Sequence, residues 1–411
     1  MVAAELTERL FRRSAGRLVA HLTRSLGTEH LGLAEDAVQD AMLRALQTWP
    51  FNGIPADPEA WLFRVARNRA LDELRQLATR SRALNTLVGE PASPPQMGGA
   101  PFVDDQLTMM FLACHPALSE PMRVGLTLKV VAGFGVDEIA AAFLVPRGTI
   151  QQRLVRAKRV LRATVVPFAM PHEQDLPERL RDVLAVLYLA FNEGYAASAG
   201  DAPVRGELCI EAIHLGTVLA EHPVTNRPEV HALLALMILQ ASRLPARVDS
   251  LGALVLLDEQ NRELWDRAAI ARGFRHLEQA SAGDCLTSYH LEAGIASCHA
   301  MAPSVADTDW SRILAYYDQL LEVDHSPVVR LNRAVAVAMV HGPEAGIREL
   351  AGLDRDPRLR RYHLLPAVRA RLLERAGRAA EAARGYARAA KLARTTAERD
   401  LMQRRLASLS A

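Results

Sequence analysis

The stretch Val136–Leu161, VDEIAAAFLVPRGTIQQRLVRAKRVL, decides how the rest of the chain is read. Asp137 is placed to cap a short helix, DEIAAAF, because a carboxylate at a helix start accepts amide hydrogens that have no partner inside the helix. Leu144-Val145-Pro146 breaks that helix, and proline suits the entry to the next one. In the second helix Ile150, Leu154, Ala157 and Leu161 recur at spacings of four, three and four, which sets them on one face. Thr149, Gln152, Arg153 and Arg156 take the opposite face. From Arg147 to Arg162 there are six basic side chains and no acidic one. Two short helices with a tight turn, the second apolar behind and carrying Arg, Gln and Thr in front, suit a reader of the DNA major groove. Arginine pairs with guanine edges and glutamine with adenine, while Arg147, Lys158, Arg159 and Arg162 are better placed for phosphates. An amphipathic helix with a solvated basic face would show the same wheel. The turn, the cap and the absence of any acid across the second helix favour DNA binding.

Upstream lie two longer amphipathic helices. In Ala34–Trp49, AEDAVQDAMLRALQTW, the spacing turns Val38, Met42, Ala45 and Leu46 inward and leaves Asp36, Gln39, Asp40 and Arg44 outside. Pro55-Ala56-Asp57-Pro58 then resets the chain. In Ala60–Leu77, AWLFRVARNRALDELRQL, one side carries Leu62, Val65, Ala66, Ala70 and Leu77, and the other Trp61, Arg64, Arg67, Asn68 and Arg75. Arg69 falls on the apolar side and must reach around or pair. An aromatic ring among arginines suits unstacked bases and phosphates, although a tryptophan at a helix start is more often a packing residue.

The whole chain reads as all-α, since apolar residues recur at three- and four-residue spacings and alternating runs are scarce. Its 411 residues allow two or three domains with proper cores. The net charge of +2 is uninformative as a total. Residues 1–172 hold 20 basic and 16 acidic side chains and residues 173–411 hold 29 and 31, so the positive excess sits in the half with the helix-turn-helix. Cys114, Cys209, Cys285 and Cys298 form no CxxC pair, which argues against a zinc site or a disulfide frame and fits a reducing compartment. With no stretch of membrane-span length and no signal-peptide core, the expected location is the cytoplasm, with no membrane partner. Proline and glycine cluster at residues 89–101 (GEPASPPQMGGAP) and at Pro167–Pro177, which divides the chain into 1–81, a linker 82–104, 105–166 and an extension 178–411.

The extension hints at repeats. A helix is expected from Val328 to about Val340, Gly342 opens another with Ala345 early in it, and Gly377 opens one with Ala382, Tyr386 and Ala389 at spacings of four and three. These features resemble tetratricopeptide helix pairs in a degenerate form, and plain helical hairpins explain them equally. In FNEGYAAS, residues 191–198, the polar Asn192, Glu193 and Tyr195 stand among apolar helices as candidates for a regulatory contact. The competing reading is an ordinary helix end broken by Gly194. His214, His222, His231, His276, His290 and His299 lack metal-ligand spacing, so no metal is expected. No phosphate-binding glycine loop or nucleophile elbow occurs, so neither a cofactor nor an enzyme activity is expected.

Taken together, AEDAVQDAMLRALQTW, PEAWLFRVARNRALDELR and VDEIAAAFLVPRGTIQQRLVRAKRVL resemble regions 2 and 4 of the extracytoplasmic-function (ECF) group of the sigma-70 family. LPERLRDVLAVLYLAFNEGYAAS (176–198), DTDW (307–310) and SPVVRLNRAVAVAMVHGP (326–343) resemble the subgroup with a tetratricopeptide-like C-terminal extension, so the likeness covers almost the whole chain. The resemblance implies an RNA polymerase sigma factor. Asp36, Gln39, Asp40 and Arg44 would meet the β′ clamp helices of the core enzyme. The loop Phe51–Pro58, with Phe51 and Asn52, would capture a flipped base of the −10 strand, and Trp61, Arg64, Arg67, Asn68 and Arg75 would hold the melted strand. Arg147, Thr149, Gln151, Gln152, Arg153, Arg156 and Lys158 would serve the −35 element, with the β flap as a further partner. The linker would run through the core enzyme toward the RNA exit path, and the resemblance leaves open whether an anti-sigma factor exists. This chain departs from the subgroup in two places. The turn GFGVDEIA lacks the usual hydroxyl near the cap, and Arg147 and Gln151 stand where acidic and small residues are commoner, which bears on −35 preference. From the residues alone, a one-component helix-turn-helix regulator with a helical sensor domain, or a tetratricopeptide scaffold with an incidental basic helix, stays open.

Overall fold

The computed structural model describes residues 2–82, 100–143, 145–196 and 204–409. Among them the structure is all-α, and the extended pairing present is a single bridge between Val248 and Leu254. The chain forms two compact units. One comprises residues 1–141 and 145–187, the other residues 142–144 and 188–411.

The first unit contains α1 (Val2–Leu26), α2 (Leu31–Asn52), α3 (Pro58–Arg82), α4 (Ala100–Ala113), α5 (Glu120–Leu126), all but the last two residues of α6 (Val136–Phe143), and α7 (Arg147–Thr164), together with the first turns of α8 (Leu176–Tyr195). Its core is small and aliphatic where helices meet closely. Ala34, Ala37, Val38, Ala41 and Ala45 of α2 are buried against α1 and α3, and Leu62, Phe63, Ala66 and Ala70 of α3 join them. The second core is built by Leu107, Met109, Met110, Phe111 and Leu112 of α4, by α5, and by a π-helical turn, Thr127–Val131. Alpha-1 packs on α2, on α4 and on the π turn, so it belongs to both cores.

Several expectations shift here. Leu46 is exposed rather than inward, because the buried arc of α2 runs through residues 34, 37, 38, 41 and 45, and the next residue lies about 100° further round. The helix α2 continues through Pro50 to Asn52, so Phe51 and Asn52 occupy its last turn and the loop spans residues 53–57. The Leu77 side chain and residues 83–99 of the expected linker lie outside the described residues.

The second unit contains the end of α8, then α9 (Gly206–Glu221), α10 (Pro228–Ala241), α11 (Arg267–Ala280), α12 (Ser288–Met301), α13 (Trp310–Val323), α14 (Pro327–His341), α15 (Pro343–Glu349), α16 (Leu364–Arg375), α17 (Ala379–Leu392) and α18 (Thr396–Ser408). Every residue of α10 from Val230 to Leu239 is buried, which makes it the central helix, packed on α9, α11 and α12. From α12 onward each helix packs on the next. Gly342 and Gly377 adopt φ of 87° and 75° at the turns before α15 and α17, and Ala382, Tyr386 and Ala389 are buried as their spacing predicts. Gly385 faces α16 so closely that a Cβ there would lie 2.8 Å from the Ala370 Cβ.

Candidate nucleic-acid interface

The helix-turn-helix forms where its sequence requires, with a different start. Alpha-6 begins at Val136, so Asp137 lies inside the first turn instead of capping it, and the Gly135 amide donates to the Glu138 carboxylate. The Asp137 carboxylate faces Arg147 at 3.3 Å. Pro146 stands immediately before α7, as its fixed φ favours. Ile150, Leu154, Ala157 and Leu161 are all buried, which turns Gln151, Gln152, Val155, Arg156 and Arg159 to solvent. Thr149 and Arg153 are half-buried beside them. Arg153, Arg156 and Arg159 have no side-chain hydrogen bond or ion pair among the described residues, so their donors point outward unsatisfied by the protein. Val155, 67% exposed in the middle of this face, was not singled out from the sequence. An isolated valine among polar residues carries no pattern, although an apolar group there is suited to a thymine methyl.

Two cations of the same helix go elsewhere. Lys158 forms an ion pair with Glu35 of α2, whose side chain is only 5% exposed, and the Arg162 guanidinium donates to the Glu29 carbonyl at 2.8 Å. The Thr28 hydroxyl donates to the Val166 carbonyl at 2.6 Å, just past the end of α7. Near the start of the unit, buried Asp105 of α4 faces His21 at 2.7 Å and Arg24 at 3.2 Å, both on α1. Polar contacts therefore join the inner side of α7 to α2 and to the turn before it, and α1 to α4, while Arg153, Arg156 and Arg159 stay unpaired among the described residues.

On α2, Asp36, Gln39 and Arg44 are exposed, with the apolar Leu43 and Leu46 between and beside them. Asp40 is partly engaged, since Arg69 reaches it at 2.8 Å and Glu73 at 2.7 Å, which resolves how an arginine on the apolar side is accommodated. At the end of α2, Phe51 is 87% exposed beside Asn52, followed by exposed Ile54. Asp57 caps α3 by accepting from the Ala60 amide at 2.9 Å. Arg64 and Asn68 are exposed and Arg67 half-buried, while Arg75 pairs with Asp72 at 3.1 Å. Trp61 is half-buried, edge-on to Trp49 with centroids 5.6 Å apart, which is the packing alternative weighed for it.

The family description "Sigma-70 region 2" matches residues 10–80 and "Sigma-70, region 4" matches residues 108–161. The ECF RNA polymerase sigma factor SigL of Mycobacterium tuberculosis is 34% identical over 134 residues, covering 32% of this chain and 74% of that protein. The chain belongs to the extracytoplasmic-function group of the sigma-70 family. It is an RNA polymerase sigma factor. The ECF RNA polymerase sigma-E factor of Escherichia coli is 28% identical over 146 residues, 33% of this chain and 75% of that protein. An uncharacterised protein of Rhizobium meliloti is 39% identical over 389 residues, 93% of this chain and 91% of that one, so the similarity runs on from the sigma regions through most of the extension. Residues 179–281 match a family of unknown function, DUF6596. No solved structure matches the chain. As a sigma factor it binds core RNA polymerase and promoter DNA, and among the described residues no helix is long and apolar enough to cross a membrane.

The FNEGYAAS segment behaves differently from an ordinary helix end. Alpha-8 continues through Gly194 to Tyr195, and a Cβ on Gly194 would lie 2.8 Å from the Arg205 carbonyl and from the Cys209 amide, so the glycine admits α9 at close range. Glu193 is buried and pairs with Arg205 at 2.9 Å. Tyr195 stacks on Phe191, and Ala197 and Ser198 lie outside the described residues. The Tyr188 hydroxyl donates to Glu292, whose carboxyl burial pushes up to about 7.

Proposed function

We propose that the two exposed faces of the first unit divide promoter recognition between them, residues 1–81 serving the core enzyme and the −10 element and residues 105–166 the −35 element. Gln151, Gln152, Arg153, Arg156 and Arg147 read or anchor duplex DNA, with Thr149 at the edge. Phe51 and Asn52 receive a base leaving the stack, and Arg64, Arg67, Asn68 and Arg75 hold the opened strand; Trp61 supports them through Trp49. Asp36, Gln39, Asp40 and Arg44, with the exposed Leu43 and Leu46, dock on the β′ clamp helices, and residues 105–166 on the β flap. Lys158, paired with Glu35, acts in holding the unit together and reaches phosphate only when that pair opens. The observation that carries this reading is the outer face of α7, where Arg153, Arg156 and Arg159 have no partner among the described residues while the inner face is sealed. Unpaired cations beside groove-reading glutamines are of use to a polyanion.

The test is run-off transcription with core polymerase, in the cytoplasmic salt range where the protein is proposed to act. D36A/R44A is expected to lower core affinity, R64A/N68A to lower strand opening with core affinity intact, and Q152A/R156A to lower activity on promoters with a −35 element. Identical defects from all three pairs would overturn the division. The extension is proposed to modulate activity by acting at high effective concentration on the attached sigma regions, and removal of it without change in transcription or core affinity would count against that role.

A further inference from the structure

Tyr195, the polar outlier of α8, lies in a ladder of alternating cations and rings. The Arg247 guanidinium sits 4.0 Å from its ring centroid and that of Arg243 5.6 Å. Arg243 is also 5.9 Å from the Trp265 ring, and Arg262 sits 4.9 Å from it. Three positive charges thus share two aromatic side chains. Arg262 is buried and braced, donating to the carbonyls of His299 at 2.8 Å and Ala302 at 2.5 Å and to the Thr308 hydroxyl at 3.2 Å. Arg243 and Arg247 are half-buried and have no side-chain hydrogen bond or ion pair among the described residues. Glu193, the carboxylate nearest in sequence to Tyr195, is taken by Arg205. Asp307 is the acid whose charge Arg262 feels, and its carboxylate accepts from Ser304.

The ladder also gathers polar atoms that have no hydrogen-bond partner among the described residues. The Nε atoms of Arg243, Arg247 and Arg262, the Trp265 indole Nε1 and the His299 Nδ1 are all buried without a hydrogen-bond partner. Trp265, Arg262 and His299 are 2%, 7% and 8% exposed, so these are interior groups. Burial first, then Arg243 and Arg262, holds the His299 ring down to about 3, so it is neutral and adds no charge. Buried like charges without a counter-charge are costly, and stacking on a ring leaves a guanidinium's edge donors free in its own plane. That edge matches the two oxygens of a phosphate or carboxylate.

We propose that the second unit binds a small molecule carrying an oxyanion, a phosphate or a carboxylate, at the edges of Arg243 and Arg247, with Tyr195, Trp265 and Arg262 holding those two side chains in place. The extension is then a ligand-responsive element, a role independent of how the first unit reads promoters. The test uses the full chain and two probes, inorganic phosphate and citrate, at constant ionic strength against sodium chloride. Thermal melting and tryptophan fluorescence are followed as each probe is titrated. The wild type is expected to be stabilised by one of the two in a saturable way, and which one identifies the anion class. In R243Q/R247Q the half-saturation concentration rises at least tenfold, while the ligand-free melting temperature is unchanged or higher, because two uncompensated charges have gone. Should the double variant not fold, R247Q alone is expected to weaken binding several-fold and R247K to restore part of it. Saturable binding that survives in R247Q and R243Q/R247Q, or no response of the wild type to either anion, overturns the proposal.

Discussion

Three arginines on the outer face of α7 and four arginines between α14 and α17 are put to opposite uses. On α7, Arg153, Arg156 and Arg159 have no acidic partner among the described residues. In the extension Arg333 pairs with Asp318 and Glu349, both at 2.7 Å, Arg369 with Asp354 at 2.8 Å, Arg371 with Asp258 at 2.9 Å, and Arg378 with Glu344 at 3.5 Å. A paired arginine ties one helix to another and is largely discharged toward the outside. An unpaired row keeps its field and its donors for a partner that arrives later. Composition alone does not separate the two, since both regions are rich in arginine; the distribution of acids around them does.

Substitutions can break or sharpen that contrast. The largest expected effect is on the free row. Q152A/R156A lowers transcription from a promoter with a −35 element by about 100-fold, at about 1–3 kcal/mol per base contact, and reduces the salt slope of DNA binding by about one. Full activity in this variant, measured by run-off transcription, would erase the distinction. Gly385→Val acts on the paired region. Its Cβ would meet the Ala370 Cβ at 2.8 Å and the Pro366 carbonyl at 3.3 Å, and overpacking of this kind costs about 1–3 kcal/mol in urea denaturation. K158A probes the helix α7 from its inner side. Leaving the buried Glu35 carboxylate without its partner is expected to cost about 2 kcal/mol of stability and to leave the salt slope nearly as it was, the reverse of R156A.

Buried charge in the extension gives a pH test. The Glu292 carboxyl titrates near 7 in the folded chain, against 4.5 for an exposed one, because burial disfavours its charged form. The folded state keeps a proton that the unfolded state has released, so stability falls as pH rises from about 4.5 to about 7 and levels off above. E292Q, which still accepts from Tyr188, is expected to remove that decline and gain about 1–2 kcal/mol over the wild type near pH 8, with no gain near pH 4. Denaturation curves at the two pH values check it, and equal differences at both would refute it. The smallest effect belongs to R333A, where loss of two half-exposed pairs is expected to cost under about 1 kcal/mol.

How much of this was legible depended on how local each cause is. Ile150, Leu154, Ala157 and Leu161 are buried as read because helical periodicity is a property of the segment itself. The need of Arg69 for a partner was visible, but Asp40 as that partner depends on how α2 lies on α3. Its position in a basic run points Lys158 to phosphate. Its partner Glu35 lies far earlier in the chain, and only the packing of α7 against the start of α2 brings the two together. Asp137 falls inside the first turn because a helix start two residues earlier fits the same apolar pattern. In FNEGYAAS the polar residues stand out by type, but the surroundings of Tyr195 do not, since Arg243, Arg247, Arg262 and Trp265 come from separate segments with no shared motif.

Alpha-8 sets a condition on any attempt to excise the extension. Its early residues serve the first unit, where Arg179 donates to the Phe111 carbonyl at 2.6 Å and Asp182 meets Arg123 at 2.6 Å, while its end carries Tyr195. A stop codon at the Pro167–Pro177 break would strip those anchors from the promoter-binding half and leave it damaged for reasons unrelated to signalling. A cleaner boundary lies beyond Leu187, and a pair of truncations on either side of the anchors would separate lost support from lost control.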